Sequence, residues 1–180
     1  SACEWARPGN LAFPVYEMPF DREPVAAWAR RIRLMEAEWV VVDAPPADRA
    51  VGAAVAIADI LLVPCTPSGL DLESTEHTLG IVRAVRERRS AHLDVALIPN
   101  RVDARTLEGR QVVEELRAFG ETVAAPVGDR SAFVRAFSLG CSVSDLAPGD
   151  KAETEVRALV DLVLRLRPRR HLPRTSTNFA

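Results

Sequence analysis

The chain alternates short, continuously apolar segments with longer segments whose apolar residues recur at helical spacing. The clearest apolar runs are ILLVPC at 60–65 and LDVALIPN at 93–100, whereas TLEGRQVVEELRAF at 106–119 places Val112 and Leu116 on one helical face. Strands that are apolar throughout are typical of parallel sheets, because helices cover both faces of such a sheet. The alternation therefore predicts an α/β fold of three layers, in which a mostly parallel sheet lies between two layers of helices.

The predicted elements follow one another up to residue 166. Strands are also predicted for LAFPVYEMP at 11–19, EWVVVDAPP at 38–46 and ETVAAPV at 121–127. Helices are predicted for 23–37, 47–59, about 71–88, 106–119, 130–139 and about 150–166. No repeat or linker divides this series, so we expect a single domain over residues 1–166. The tail at 167–180 is basic and contains prolines, so we expect it to be flexible.

The composition indicates a globular domain with a sizeable core. Of the 180 residues 48% are hydrophobic and 27% are charged, and the formal net charge is -2. No apolar run approaches the roughly 20 residues that a membrane-spanning helix needs, so we expect a cytoplasmic protein without a membrane partner. The three cysteines are far apart and lack metal-ligand spacing, which favours reduced thiols over a disulfide framework.

Polar residues and prolines directly follow several of the apolar runs, where ligands of parallel sheets gather. Asp43, Pro45 and Pro46 follow the run WVVV, and Asn100 follows the run at 93–99. A strand-end aspartate can hold magnesium through water, and a proline pair can stiffen a loop that moves with a terminal phosphate. An asparagine amide offers adenine both a donor and an acceptor. Taken singly, each residue also fits a helix cap, a strand break or a turn.

The order of four segments is more specific than any one of them. VVVDAPP, ADILLVPCTPSGLDLES, ALIPNRVD and PVGDRSAFVRAFSLGCSVSDL follow one another along the chain. In this order the chain resembles the ParA/MinD family of deviant-Walker P-loop ATPases, and ParA-type partition proteins most closely. The resemblance extends from residue 1 to about residue 166, and it implies the P-loop NTPase fold.

The resemblance also implies roles for individual residues. Asp43 would be the Walker B aspartate, a catalytic residue that holds Mg²⁺ through water. Pro45 and Pro46 would form the switch turn, and Asn100 with the loop around Pro126 would form the adenine pocket. The cofactors implied are ATP and Mg²⁺. The activity implied is ATP hydrolysis in plasmid or chromosome partitioning, or in intracellular positioning.

By the same resemblance, ATP would join the protein into a homodimer that binds DNA without sequence preference. A ParB-like protein would stimulate hydrolysis, and the protein would associate with the nucleoid in the cytoplasm. A net charge of -2 does not indicate a strongly basic body, so DNA contacts would depend on local clusters. The candidate residues are Arg86, Arg89, Arg130 and Arg135, although solvated helix faces account for such arginines equally well.

One part of the family pattern does not occur in these 180 residues. Family members begin with a strand, a GKGGxGKT-like loop, a helix and a strand that ends in Asp-Pro-Gln. The chain has no glycine-rich loop, and its only lysine, Lys151, is followed by alanine and has no glycine directly before it. SACEW resembles the family's residues directly after the Asp-Pro-Gln segment, so we expect a fragment without its phosphate-binding segment. A homologue that has lost the site is the alternative.

Two other classes of function remain open. A non-catalytic module could use the same sheet to bind a partner without nucleotide. P-loop amidoligases of the cobyrinic acid synthase or dethiobiotin synthetase type share the fold, but they need a substrate-specific loop or a glutaminase domain, and neither is evident here. ATP binding separates the ATPase from the binding module, and ATP-dependent DNA retention separates it from the amidoligases.

Overall fold

A computed structural model describes residues 2–20 and 23–166, and a parallel sheet of three strands lies at its centre. The strands are β1 (Ile60–Cys65), β2 (Asp94–Pro99) and β3 (Thr122–Val123), in the spatial order β1-β2-β3. Leu61 is in register with Val95, and each strand runs parallel to its neighbour. All three strands therefore end at the same edge of the sheet.

Helices connect and cover these strands. They are α1 (Ala2–Ala6), α2 (Val25–Arg33), α3 (Asp48–Ile57), α4 (Gly69–Arg86), α5 (Leu107–Arg117), α6 (Ser131–Leu139), α7 (Val143–Leu146) and α8 (Lys151–Leu166). None of these helices, within the described ranges, combines the length and apolar character needed to cross a membrane. Local chemistry sets several of their ends: α6 stops at Gly140, which has a φ of 62°, and α7 begins with a capping box between Ser142 and Asp145.

The side chains of β2 point alternately to the two faces of the sheet, and helices cover both faces. On one face Leu97 packs in the main core with Leu79 of α4 and Leu116 of α5. On the other face Ile98 lies in a separate cluster, against which Phe133 of α6 packs. This arrangement confirms the predicted α/β fold with a parallel sheet between helices.

Two predicted strands are wrong. Residues 11–19 and 38–46 belong to no strand, and Val41 is 90% exposed in a segment that was predicted to be buried. A strand needs a hydrogen-bonded neighbour for its backbone, and within the described part of the chain the sheet ends at β1. An apolar run indicates that a segment could be a strand, but it does not show that a neighbouring strand is present to pair with it. The strand predicted for 121–127 is shorter than expected, because only Thr122–Val123 forms a strand.

The predicted boundaries of the remaining elements agree with the structure to within a few residues, whereas α1 and α7 were not predicted. The helix predicted for 23–37 is the largest deviation, because α2 ends at Arg33. The prediction for 167–180 concerns residues outside the described ranges. The helices that flank the sheet were predictable because their apolar faces repeat over several turns.

Gly109 of α5 lies against the backbone of the preceding loop, and this contact leaves no room for a side chain. A Cβ atom added there would lie 2.1 Å from the carbonyl oxygen of Asp103 and 2.9 Å from Oγ1 of Thr106. The amide of Gly109 also donates to Thr106 Oγ1 at 3.0 Å, so the cap of α5 depends on the same contact.

We expect Gly109→Ala to lower the free energy of unfolding by about 3 kcal/mol, because the loop and the helix cap must both move. Gly80→Ala is the matched control, since a Cβ added at Gly80 in α4 meets no atom within 4 Å. Alanine is the better helix former, so this control should be neutral or stabilising by up to about 1 kcal/mol. Urea unfolding of both variants measures the difference, and equal midpoints would show that the Gly109 contact is not restrictive.

Candidate functional site

The loops that follow β2 and β3 are joined at the edge where the strands end. The amide of Asn100 donates to the carbonyl oxygen of Cys65 at 2.8 Å, which continues the ladder between β1 and β2 by one residue. The amide of Val127 donates to the carbonyl oxygen of Pro99 at 2.8 Å. The amide of Val102 donates to the carbonyl oxygen of Val127 at 2.9 Å. These bonds bring Asn100 and the loop that contains Pro126 to the same edge of the sheet.

The side chain of Asn100 is half-buried, and its terminal carboxamide, unlike the backbone amide, makes no hydrogen bond to the residues that the structure describes. Arg101 follows with a φ of 53°, the left-handed conformation that residues other than glycine adopt uncommonly. Backbone strain of this kind is often found at functional sites. The Arg101 side chain reaches Asp129 in the neighbouring loop at 3.4 Å, so a second, weaker contact joins the two loops.

The loop after β1 is closed by Asp71 in the first turn of α4. The carboxylate of Asp71 accepts hydrogen bonds from the hydroxyl and, at 3.0 Å, from the amide of Thr66. The hydroxyl bond is the main cause of a lowered pKa for Asp71. Sequence reasoning did not single out Asp71, although a Thr followed five residues later by an Asp at a helix start is a signal for such a turn. The loop after β1 borders Asn100, but the Asp71 carboxylate that closes it already accepts hydrogen bonds from Thr66.

Asp43 lies in the exposed segment before α3. Its Oδ2 accepts a hydrogen bond from the amide of Ala2 at 3.0 Å, at the start of α1. Within residues 2–20 and 23–166 no hydrogen bond or ion pair joins Asp43 to Asn100 or to the Pro126 loop. No direct bond therefore links the predicted metal-binding residue to the predicted adenine pocket in the described part of the chain.

Pro45 and Pro46 are exposed and form the turn into α3, where the amide of Ala47 donates to the carbonyl oxygen of Pro45 at 2.8 Å. Pro46 also borders a cleft of about 350 Å³ between α3 and α4. In this cleft Nε2 of His77 lies 3.0 Å from Oδ1 of Asp48. Both side chains are mostly exposed, so this contact contributes little to stability.

Two of the arginines predicted to contact DNA are bonded to neighbouring segments of the protein. Arg86 forms an ion pair with Glu121 and donates to the carbonyl oxygen of Leu93 at 2.8 Å. Arg89 donates to the carbonyl oxygens of Val55 at 2.8 Å and Ala58 at 2.9 Å, and so holds the end of α3. Both guanidinium groups satisfy acceptors on neighbouring segments, and their contact with DNA stays a prediction.

The other two arginines differ in their surroundings. Arg130 forms an ion pair with Glu155 of α8. Arg135 is exposed on α6, and among the described residues it has no ion pair. The partners of Arg86 and Arg130 are 35 and 25 residues away in sequence, so no local pattern could indicate them. Arg135 is the candidate whose charge is available for a partner.

The fit of these residues to a magnesium nucleotide is partial. The Asn100 amide has the donor and acceptor that an adenine edge needs. Triphosphate binding needs backbone amides or cations, and the sequence has no glycine-rich loop to supply them. No group of three histidine, cysteine or acidic residues in the described ranges is arranged to hold a metal ion. Asn100 therefore has the groups for a base contact, whereas the 180 residues contain no glycine-rich loop for the phosphates.

Comparisons with known proteins give a similar curated sequence and several similar structures. No protein-family model matches the chain. Maintenance of carboxysome distribution protein A from Halothiobacillus neapolitanus is 30% identical over 131 residues, which cover 71% of this chain and 60% of that protein. The chain therefore spans less than two thirds of the length of this curated relative.

Two of the similar structures are of McdA from Cyanothece. The apo structure has a TM-score of 0.53 and 18% sequence identity, with 62% of this chain and 46% of that one covered. A variant in complex with ATP has a TM-score of 0.50 and 20% identity, with 60% and 45% covered. At these identities the structures show a shared fold, and the 30% sequence match adds common ancestry. The chain is therefore a relative of the ParA/MinD-type ATPases, as its strand-end segments predicted.

Proposed function

We propose that the protein is a ParA-like ATPase that positions a cargo inside the cell. The observation that carries this proposal is the 30% identity, over 131 residues, to a protein that maintains carboxysome distribution. The side-chain carboxamide of Asn100 at the carboxyl edge of the sheet supports a nucleotide-binding role, because it is half-buried and has no hydrogen-bond partner among the described residues. The cargo class includes plasmids, chromosomes and protein assemblies.

In this proposal different residues of the chain contact the base, the metal ion and the terminal phosphate of magnesium ATP. Asn100 and the Pro126 loop bind the adenine base, and Asp43 holds the magnesium ion through water. The Pro45-Pro46 turn responds to the terminal phosphate. The phosphates themselves need a glycine-rich segment, and these 180 residues contain none. In the experiments below, the full-length protein means a chain that has such a segment in addition to residues 1–180. Bound Mg²⁺ supplies charge neutralisation to the reacting phosphate.

The partners follow from the same proposal. ATP joins two copies into a homodimer, the dimer binds DNA without sequence preference, and a ParB-like protein stimulates hydrolysis. The protein acts in the cytoplasm at the nucleoid. Arg135 is the first residue to test for DNA contact, since its side chain is exposed and lacks an ion pair in the described part of the chain.

We expect Asn100→Ala in the full-length protein to raise the Michaelis constant for ATP and to reduce discrimination against GTP. Loss of a matched polar contact in a binding pocket costs about 1–3 kcal/mol, which corresponds to roughly 5- to 150-fold. Gln111→Ala is the control, because Gln111 also carries an amide but is exposed on α5. Steady-state ATP and GTP hydrolysis measure both constants. The same nucleotide preference before and after the Asn100 change would refute the base contact.

The lack of a glycine-rich loop favours one other candidate function, a binding module that uses this sheet without nucleotide. The two candidates differ in one measurable property of the full-length protein. An ATPase shows a rise in thermal midpoint with magnesium ATP, whereas the module shows none.

A further inference from the structure

The carboxylate of Glu155 on α8 makes polar contacts to the loop from Pro126 to Arg130, in addition to the apolar packing of Val127 with Leu159 and Leu162. Oε2 of Glu155 accepts hydrogen bonds from the amide of Gly128 at 3.0 Å and from Nε of Arg130 at 2.8 Å. The other oxygen, Oε1, accepts from the second guanidinium nitrogen of Arg130. Glu155 thus bonds both the backbone and a side chain of the loop, from a helix that begins more than 20 residues later.

The absence of a side chain at residue 128 makes this arrangement possible. A Cβ added to Gly128 would lie 3.0–3.1 Å from three atoms of the Arg130 guanidinium group. The guanidinium therefore lies directly over the loop backbone, where the two side chains of the ion pair are only 31% and 20% exposed. Partial burial makes such a charge-assisted pair stronger than one in open solvent.

The electrostatics agree with this geometry. The guanidinium of Arg130 is the main cause of a lowered pKa for Glu155, and the carboxylate of Glu155 in turn raises the pKa of Arg130. Both groups are therefore charged at neutral pH, and the pair keeps its full strength there.

The same loop is bonded to the loop that carries Asn100. Gly128 forms a parallel bridge with Val102, two residues after Asn100. A carboxylate that fixes Gly128 therefore also sets the position of the Pro126 loop relative to the Asn100 amide.

We propose that Glu155 is a positioning residue for nucleotide selectivity, which holds the Pro126–Arg130 loop so that the Asn100 amide meets the edge of an adenine base. The inference rests on the proposed function, since it concerns the same base site. Glu155 itself does not contact the nucleotide. Its effect passes through Gly128 and Arg130, and it links the base site to α8.

The chain offers a closely matched control two residues away. Glu153 of α8 accepts hydrogen bonds from the amide of Gly149 at 2.5 Å and from Arg157 at 2.6 and 3.0 Å. Like Glu155, it bonds one backbone amide and one guanidinium, and it also interacts with Ser144 of α7. Its partners lie on α7, at the start of α8 and on α8 itself, so they do not include the loops that carry Asn100 and Pro126.

The experiment compares Glu155→Ala, Glu155→Gln and Glu153→Ala in the full-length protein, with calorimetric dissociation constants for magnesium ATP and magnesium GTP. We expect Glu155→Ala to weaken ATP binding about tenfold and to bring the two constants closer together, because a displaced loop misplaces the base contact. Glu155→Gln keeps an acceptor for the Gly128 amide and should recover part of the preference. Glu153→Ala should lower the thermal midpoint and leave the ratio of the two constants unchanged.

Hydrogen exchange on the same proteins gives a second readout that needs no nucleotide. The amide of Gly128 should exchange faster in Glu155→Ala than in Glu153→Ala. If the unmodified protein prefers ATP and Glu155→Ala keeps that preference, the positioning role is wrong and the proposed function stands. If the unmodified protein binds neither nucleotide, the proposed function and this inference both fail.

Discussion

Replacement of Asp43 by alanine is expected to lower the turnover number for magnesium-dependent ATP hydrolysis by the full-length protein about 100-fold. A metal ion that neutralises the reacting phosphate stabilises the transition state by several kcal/mol. Each loss of about 1.4 kcal/mol of this stabilisation lowers the rate tenfold. In the proposed function Asp43 holds that ion through water. Its side chain is exposed and bonds the amide of Ala2, so it contributes little to the core.

The thermal midpoint of Asp43→Ala should therefore stay within about 2 °C of that of the unmodified protein, as for other surface substitutions. Asp161→Ala is the matched control, because Asp161 is also an exposed carboxylate but lies on α8. This control should keep full turnover. Unchanged turnover of Asp43→Ala at saturating magnesium would show that Asp43 does not hold the ion.

The second large effect concerns residues 1–180 studied alone, which we expect neither to bind ATP nor to remain monomeric. These residues lack a glycine-rich loop, so a bound triphosphate would have no backbone cradle. The outer edge of β1 has no strand partner among the described residues, and Val41 is 90% exposed in an apolar segment. Unpaired strand edges and exposed apolar segments both promote association.

Thermal unfolding and light scattering on the same sample measure the two parts of this prediction. Magnesium ATP at about 100 times its dissociation constant stabilises a binding protein by about 2.7 kcal/mol, or roughly 5–10 °C for a chain of this size. We expect this rise for the full-length protein and none for residues 1–180. Val41→Lys should reduce association of residues 1–180, because a charge disfavours contact between exposed apolar segments of two copies. A monodisperse sample with an ATP-dependent rise would refute both parts.

The sequence predicted those parts of the fold that depend on local pattern. β1 and β2 were predictable because each is an apolar run bounded by turn residues, and α5 because its apolar face repeats and Thr106 caps it. α7 carries a signal that was overlooked, since Ser142 and Asp145 have the spacing of a capping box. With four residues, α7 is about one turn long and too short to show an apolar periodicity.

The predictions that failed or stayed incomplete depend on distant residues. The run Trp39–Val42 has strand composition, but whether it pairs depends on a neighbour that sequence pattern cannot supply. Asn100 could be predicted as a candidate because it directly follows an apolar strand, where ligands of parallel sheets bind. Glu155 could not be predicted in this way, because its contacts with Gly128 and Arg130 cross the fold.

In the proposed function, the edge formed by the Asn100 and Pro126 loops is the base site of an ATP-dependent switch. Isothermal titration of the full-length protein with magnesium ATP, and separately with magnesium GTP, measures whether this edge selects adenine. We expect one ATP site per chain with micromolar affinity, and weaker binding of GTP by roughly tenfold or more, since an Asn100 carboxamide held in the orientation that adenine requires leaves the donor and acceptor of guanine unmatched. Titrations that release no heat, or equal affinities for the two nucleotides, would contradict it.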